Sequence, residues 1–200
     1  MINSGVFGNS SDLTERLKTI EEIVLFAQNA KGLGLKVVMT QGSYDLFHVG
    51  HKAYLAKAKS FGDLLIVGVD SDEKIRSRKG ENRPMVPLEE RLDILAGLRG
   101  VDVLVVKQLS DPKWALLKAV LPDVLVVSES TKKFGDDERA ALMEFCGEVV
   151  VLPPQAQTST SARIRNFQME IGSRIKESIL SAVPGIVESV TGPFGGKEGS

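Results

Sequence analysis

Short apolar runs alternate with amphipathic stretches along most of the chain. Lys36 to Thr40, Leu64 to Val69, Val101 to Val106, Val124 to Val127 and Glu148 to Leu152 are dominated by Val, Ile and Leu. Runs this short, apolar at both alternating sets of positions, are the pattern of strands covered on both faces. Between them, apolar positions take helical spacing over about Gly50 to Ser60, Leu88 to Leu98, Lys113 to Val120 and Asp136 to Phe145. Parallel neighbours need a crossover, and a helix is its usual form. The pattern therefore predicts an α/β fold built on a doubly wound, five-stranded parallel sheet.

The ends read differently. After an Asn/Ser/Gly leader, Thr19-Ile20-Glu21-Glu22 has the form of a capping box, with Ile20, Ile23, Val24 and Ala27 at helical spacing and Gly32 and Gly34 closing the element. Beyond Phe167 an amphipathic segment runs from Ile171 to Val183, and the Gly-rich end GPFGGKEGS is expected to be disordered. The expected division is a leader and helix over 1–34, a central domain over 35–167, and a C-terminal helix and flexible tail over 168–200.

Two hundred residues, 42% of them hydrophobic, suit one well-buried domain with appendages. The 25 Lys and Arg nearly balance the 26 Asp and Glu, so the chain lacks the positive field of a sequence-independent nucleic-acid binder. Phosphate affinity must then be local. The lone Cys146 sits in an apolar helical stretch and reads as a core residue. Neither a secretory signal nor an apolar run of about 20 residues is visible, which gives the expectation of a cytoplasmic protein with no membrane partner.

Ligands of such sheets bind beyond the carboxyl ends of the strands. The first strand runs into Gln41-Gly42-Ser43-Tyr44-Asp45-Leu46-Phe47-His48-Val49-Gly50-His51 and then into a helix, and both histidines of the chain lie there. Three residues apart at a helix start, they share one face of the first turn beside free backbone N–H groups and the positive end of the dipole. An anion should bind there. Gly42 permits close backbone approach to a phosphate, Gly50 permits tight strand-to-helix packing, and Asp45 can orient a histidine or reach a metal-bound triphosphate. The opposing view is that these are core or capping histidines.

GSYDLFHVGH closely resembles the G-x-F-D-x-x-H-x-G-H signature of the cytidylyltransferase-like nucleotidyltransferases, with Tyr44 in place of the commoner Phe. Val69-Asp70-Ser71-Asp72-Glu73 resembles the family's segment after the second strand. Arg78-Lys79-Gly80-Glu81-Asn82-Arg83-Pro84 and Pro87-Leu88-Glu89-Glu90-Arg91 resemble the basic loop and helix start of heptose-phosphate adenylyltransferase domains. Arg99-Gly100-Val101-Asp102 resembles the Arg-Tyr-Val-Asp of glycerol-phosphate cytidylyltransferases, and Gln157-Thr158-Ser159-Thr160-Ser161 the family's hydroxyl run after the last strand. The resemblance spans about Lys36 to Phe167 with its motifs in order.

That resemblance implies a Rossmann-like fold, and nucleotidyl transfer of CMP or AMP from CTP or ATP to a small phosphorylated sugar or polyol. It assigns catalysis to His48, His51, Lys79 and Arg99. Nucleotide binding falls to Gly42, Ser43, Tyr44, Asp45, Gly50, Ser128, Thr158, Ser159, Thr160 and Ser161, and acceptor binding to Asp72, Arg83 and Arg91. Mg²⁺ is implied through the triphosphate, with Asp45 the one candidate side chain, and a homodimer is implied as well. Ser128 to Lys133 departs from the Gly-Gly-Asp-Tyr or Gly-Asp-Asp of relatives, which leaves base and acceptor open. A non-catalytic nucleotide sensor and an FMN adenylyltransferase-like enzyme remain as other readings. An aminoacyl-tRNA synthetase core is opposed by the short chain and the lack of a Lys-rich signature loop.

Overall fold

The strands of the sheet run parallel, in the spatial order β1-β4-β3-β2-β5-β6. They are β1 (Leu17–Lys18), β2 (Val37–Gly42), β3 (Leu64–Asp70), β4 (Val103–Lys107), β5 (Val124–Ser128) and β6 (Glu148–Leu152). The computed structural model describes residues 12–129, 136–155 and 160–191. Most of the divergent segment after Ser128, the pair Thr158 and Ser159, and the Gly-rich C-terminal end lie outside the described residues.

Five of these strands are the apolar runs read from the sequence. The sixth, β1, is a two-residue edge strand, paired through Leu17↔Leu104 and Lys18↔Val105, and two residues carry no periodicity to read. From β2 the chain winds outward through β3 to β4, then returns to lay β5 on the other side of β2 and β6 beyond it. The strand order thus reverses between β2 and β5, which is where a crevice for ligand opens in doubly wound sheets.

Alternation along each strand supplies two cores. One packs Ile23, Ala27, Met39, Ile66, Leu116, Leu125 and Leu142 together, from α2 (Ile20–Gly32), α6 (Ala115–Val120), α7 (Asp136–Met143) and one side of the sheet. The other packs Val38, Leu55, Val67, Leu92, Leu95 and Val126, from α3 (Val49–Lys59), α5 (Leu88–Ala96) and the opposite side. The capping box of α2 forms as the sequence indicates, with Thr19 Oγ1 accepting from Glu22 N and Glu22 Oε2 accepting from Thr19 N. A four-residue turn of helix, α1 (Leu13–Arg16), precedes β1.

Besides the short α1, one helix has no counterpart in the sequence pattern. α4 (Asp72–Lys79) reads DEKIRSRK, with Ile75 its only buried residue, so no apolar stripe announces it. Its start is local chemistry: Ser71 caps it by accepting from Lys74 N. The chain divides into two units, residues 1–157 and 158–200. The second contains α8 (Thr160–Thr191), a single helix that includes Pro184 and carries Ile171, Ile175 and Ile179 at four-residue spacing.

Candidate active site

The site grows from the end of β2. Beyond Gly42, Tyr44 and Leu46 take left-handed backbone angles (φ 49° and 50°), uncommon for residues with a side chain, and fold the chain back into α3. His48 is the N-cap of α3: its Nδ1 accepts from the Gly50 N–H at 3.0 Å. His51 lies in the first turn, and its ring stacks on that of His48 with centroids 4.0 Å apart and planes 27° from parallel. Tyr44 meets His51 edge-on and Phe47 lies tilted against it, with centroids 5.6 and 5.4 Å away.

This packing fixes the state of both rings. Burial, the adjacent His48 and the Lys79 ammonium push His51 down to about 4, against an opposing pull from Asp45, so its imidazole is neutral at neutral pH. Its Nδ1 is sealed from solvent without a hydrogen-bond partner. A bare lone pair costs less there than an unsatisfied N–H, so the proton belongs on Nε2. His48 reaches the same tautomer in its neutral form, because its Nδ1 is the acceptor for Gly50. His51 in this tautomer presents an Nε2–H donor, and neutral His48 carries its proton on the same atom.

Around this pair the structure assembles an interlocked set of charges. Lys79, the last residue of α4, donates to Ser43 Oγ at 2.9 Å. Desolvation, Arg78 and Arg83 lower its ammonium below the ordinary lysine range, partly offset by Asp45 and Asp70. Asp45 is buried, pairs with Arg83, and accepts from Met85 N at 3.0 Å and Val86 N at 3.1 Å. With both oxygens so engaged, it clamps the 83–86 loop to the turn that leads into α3, and its carboxylate also acts on the charge of His51.

Arg91 requires a clear correction. Expected to meet an acceptor phosphate, it has a side chain at 0% exposure. Its guanidinium donates to Val86 O (3.0 Å), Ser43 O (2.5 Å), Asp70 O (2.9 Å) and Asp72 Oδ1 (2.7 Å). It ties the end of β2, the end of β3, the start of α4 and the 83–86 loop into one piece. Asp72 is its partner, and Arg83 is the partner of Asp45, so all three proposed acceptor ligands hold one another or the loop around the site.

Three other expectations shift. Arg99, assigned to catalysis by resemblance, is exposed between α5 and β4 and lines a cleft with Lys36, Lys59, Gly62 and Asp63, at the amino ends of β2 and β3. That edge is opposite the histidines, so Arg99 is not part of their site. Tyr44 is 4% exposed and packed in the core with Leu92 and Val69; its ring walls His51 and does not lie open to a nucleotide. Gly42 makes room for that ring, since a Cβ there would sit 3.2 Å from Tyr44 Cε2 and Cζ.

Ser128 ends β5 on the carboxyl edge, across the reversal point from Gly42. Thr160 and Ser161 open α8 in the second unit. Missed from the sequence was Asp70, buried at the end of β3 in register with Lys107 of β4, and bonded to Arg78 at 2.8 Å and Lys107 at 3.3 Å. Burial works to raise its carboxyl, but Lys107 and Arg78 outweigh that and hold it below the ordinary range. A polar residue closing an apolar strand at the carboxyl edge was the available signal. Among the described residues no group of three or more His, Cys, Asp or Glu is placed to hold a metal ion.

A doubly wound parallel sheet with stacked imidazoles at a helix start beside its reversal point defines a nucleotide-binding α/β protein of the Rossmann-like kind. More narrowly, the chain belongs to the cytidylyltransferase-like family, whose model matches residues 39–167. It is 40% identical over 150 residues to the bifunctional protein HldE of Alkalilimnicola ehrlichii, covering 75% of this chain and 31% of that protein. The HldE of Escherichia coli O1:K1 is 39% identical over 155 residues, covering 76% and 32%. The chain thus spans about a third of the length of these curated relatives.

Among solved structures, a lipopolysaccharide core biosynthesis protein from Thermoplasma volcanium superposes with a TM-score of 0.53 at 26% identity, covering 60% of this chain and 97% of that one. A pantoate-beta-alanine ligase from Francisella tularensis superposes at 0.52 with 19% identity, covering 81% and 78%, which shows a shared fold.

Proposed function

We propose that the protein transfers a nucleoside monophosphate from ATP or CTP to the phosphate of a small phosphorylated sugar or polyol, releasing pyrophosphate. The observation that carries this reading is the stacked pair His48 and His51 at the start of α3, beside the reversal point of the sheet. Family membership and the similarity to the HldE relatives support it.

In the reaction an oxygen of the acceptor phosphate attacks the α-phosphorus, a new P–O bond forms, and the bond to the bridging oxygen breaks as pyrophosphate leaves. A phosphate monoester is mostly ionised near neutral pH, its second pKa lying at about 6, so no general base is needed. The protein's work is to position two phosphates and offset developing negative charge. Two Nε2–H donors, the α3 backbone N–H groups and Lys79 suit that task. Mg²⁺ enters this scheme as part of the magnesium–triphosphate substrate.

The same reading includes a homodimer, drawn from the family resemblance, and a cytoplasmic location. Among the described residues no helix is long and apolar enough to cross a membrane. The testing experiment incubates purified protein with Mg²⁺, each nucleoside triphosphate in turn and a panel of phosphorylated sugars, polyols and FMN, and follows pyrophosphate release. Release with one nucleotide and a sugar or polyol phosphate supports the proposal. Release with FMN alone, or nucleotide binding with no turnover on any acceptor, overturns it in favour of a flavin adenylyltransferase or a sensor.

A further inference from the structure

The β2–β5 ladder is shorter than the two that flank it. β2 pairs with β3 over six positions, from Val37↔Leu64 to Gly42↔Val69, and β5 pairs with β6 out to Ser128↔Leu152. Between β2 and β5 only Val38↔Val124 and Met39↔Leu125 are paired. Continuing that register would bring Thr40 opposite Val126. There a side chain intervenes: Tyr54, from the second turn of α3, donates its hydroxyl proton to Val126 O at 3.1 Å, and its oxygen lies 2.8 Å from Thr40 Oγ1. Because the phenol proton goes to the carbonyl, the Thr40 hydroxyl is the donor to the phenol oxygen. Thr40 is at 0% exposure, and burial raises the Tyr54 hydroxyl to about 12, so the phenol stays protonated at any working pH.

We infer that Tyr54 is a positioning residue: its hydroxyl, bridging Thr40 and Val126 at the first position past the last β2–β5 pair, fixes the fork between these strands that admits the nucleotide. The link to nucleotide rests on the proposed function; the fork itself does not. The physical basis is that a buried carbonyl and a buried hydroxyl left outside a ladder need partners, and one phenol supplies both. Since Tyr54 is in α3, which His48 caps and whose first turn holds His51, the bridge also ties the start of α3 to the two strands whose ends bound the crevice. Cavity walls set this way influence how well a nucleotide is bound more than how fast bound substrates react.

The test uses Tyr54→Phe, which keeps the ring and removes the bridge, and Thr40→Val, which is close to isosteric and removes the other partner. Without nucleotide, amide hydrogen exchange at residues 40–42 and 126–128 should quicken about fivefold in Tyr54→Phe, the scale of one lost hydrogen bond, while the paired amides of β3 keep their wild-type rates. Thr40→Val should reproduce this, and the double variant should add little beyond either single change, as expected when two residues share one interaction. With nucleotide, calorimetric affinity for ATP or CTP should weaken about tenfold and KM rise with it, while kcat at saturation stays within about twofold. Exchange at the fork unchanged in Tyr54→Phe would overturn the bridge. Altered exchange with unaltered affinity would overturn its role in the crevice. A wild-type protein that binds neither nucleotide would refute the proposed function and with it the nucleotide role, and the exchange measurement alone would then decide the fork.

Discussion

Arg91 Nη2 and Asp72 Oδ1 lie 2.7 Å apart, the arginine side chain out of solvent and the aspartate 27% exposed. Together with three backbone carbonyls, this contact absorbs four hydrogen bonds from a single guanidinium. Removing one partner of a buried ion pair typically costs about 3–5 kcal/mol, because the other groups lose their partner without regaining water. Arg91→Ala should therefore lower unfolding stability by about that amount in a urea titration. Arg91→Lys should recover only part of it, since an ammonium cannot reproduce the planar fork. A fully stable Arg91→Ala protein with only a raised KM for acceptor would restore the role that its sequence motif suggested.

Arg99 and Lys79 give opposite forecasts. Arg99 is exposed on the amino edge of the sheet, so Arg99→Ala should leave kcat/KM within about twofold, as surface changes away from a site usually do. Lys79 borders the histidines through Ser43, and Lys79→Ala should reduce kcat/KM by about 10²-fold, the scale for losing one electrostatic stabiliser. Steady-state rates of the two variants, measured side by side, check both. A larger loss for Arg99→Ala than for Lys79→Ala would place the chemistry at the wrong edge of the sheet.

His51 should titrate near 4 in an NMR experiment, far below the 6.5 of a free histidine. The folded pKa is depressed, so in acid the unfolded chain takes up a proton that the folded chain refuses. Stability from this group is complete above about 6.5 and is lost as pH falls toward 4. Replacement by Gln, which cannot protonate, should remove that part of the acid sensitivity. A His51 resonance titrating at 6.5 would mean the imidazole is not held as the stacked, desolvated ring described.

Much of this arrangement was legible in the chain. The strands at Leu64 to Val69 and Glu148 to Leu152 announced themselves because a sheet covered on both faces must be apolar throughout. The histidine pair was legible because a strand followed by a helix start fixes where His48 and His51 stand. α4 was not legible: with Ile75 alone buried, it is held by its Ser71 cap and by ionic contacts from residues distant in sequence. The role of Arg91 was hidden for the same reason, as its acceptors come from residues 43, 70, 72 and 86 and meet only in the folded chain. Arg99 is different. A residue that precedes a strand stands at its amino end, so the predicted run from Val101 already argued against a place beside the histidines.

The most direct test compares pyrophosphate release by the wild-type protein with release by His48→Ala and His51→Ala, at saturating magnesium–nucleotide and acceptor. Each substitution should lower turnover by about 10²-fold or more, the cost of removing one preorganised donor to developing charge, while the thermal transition remains cooperative. Turnover unchanged in both variants would contradict the assignment of the stacked imidazoles as the centre of the reaction.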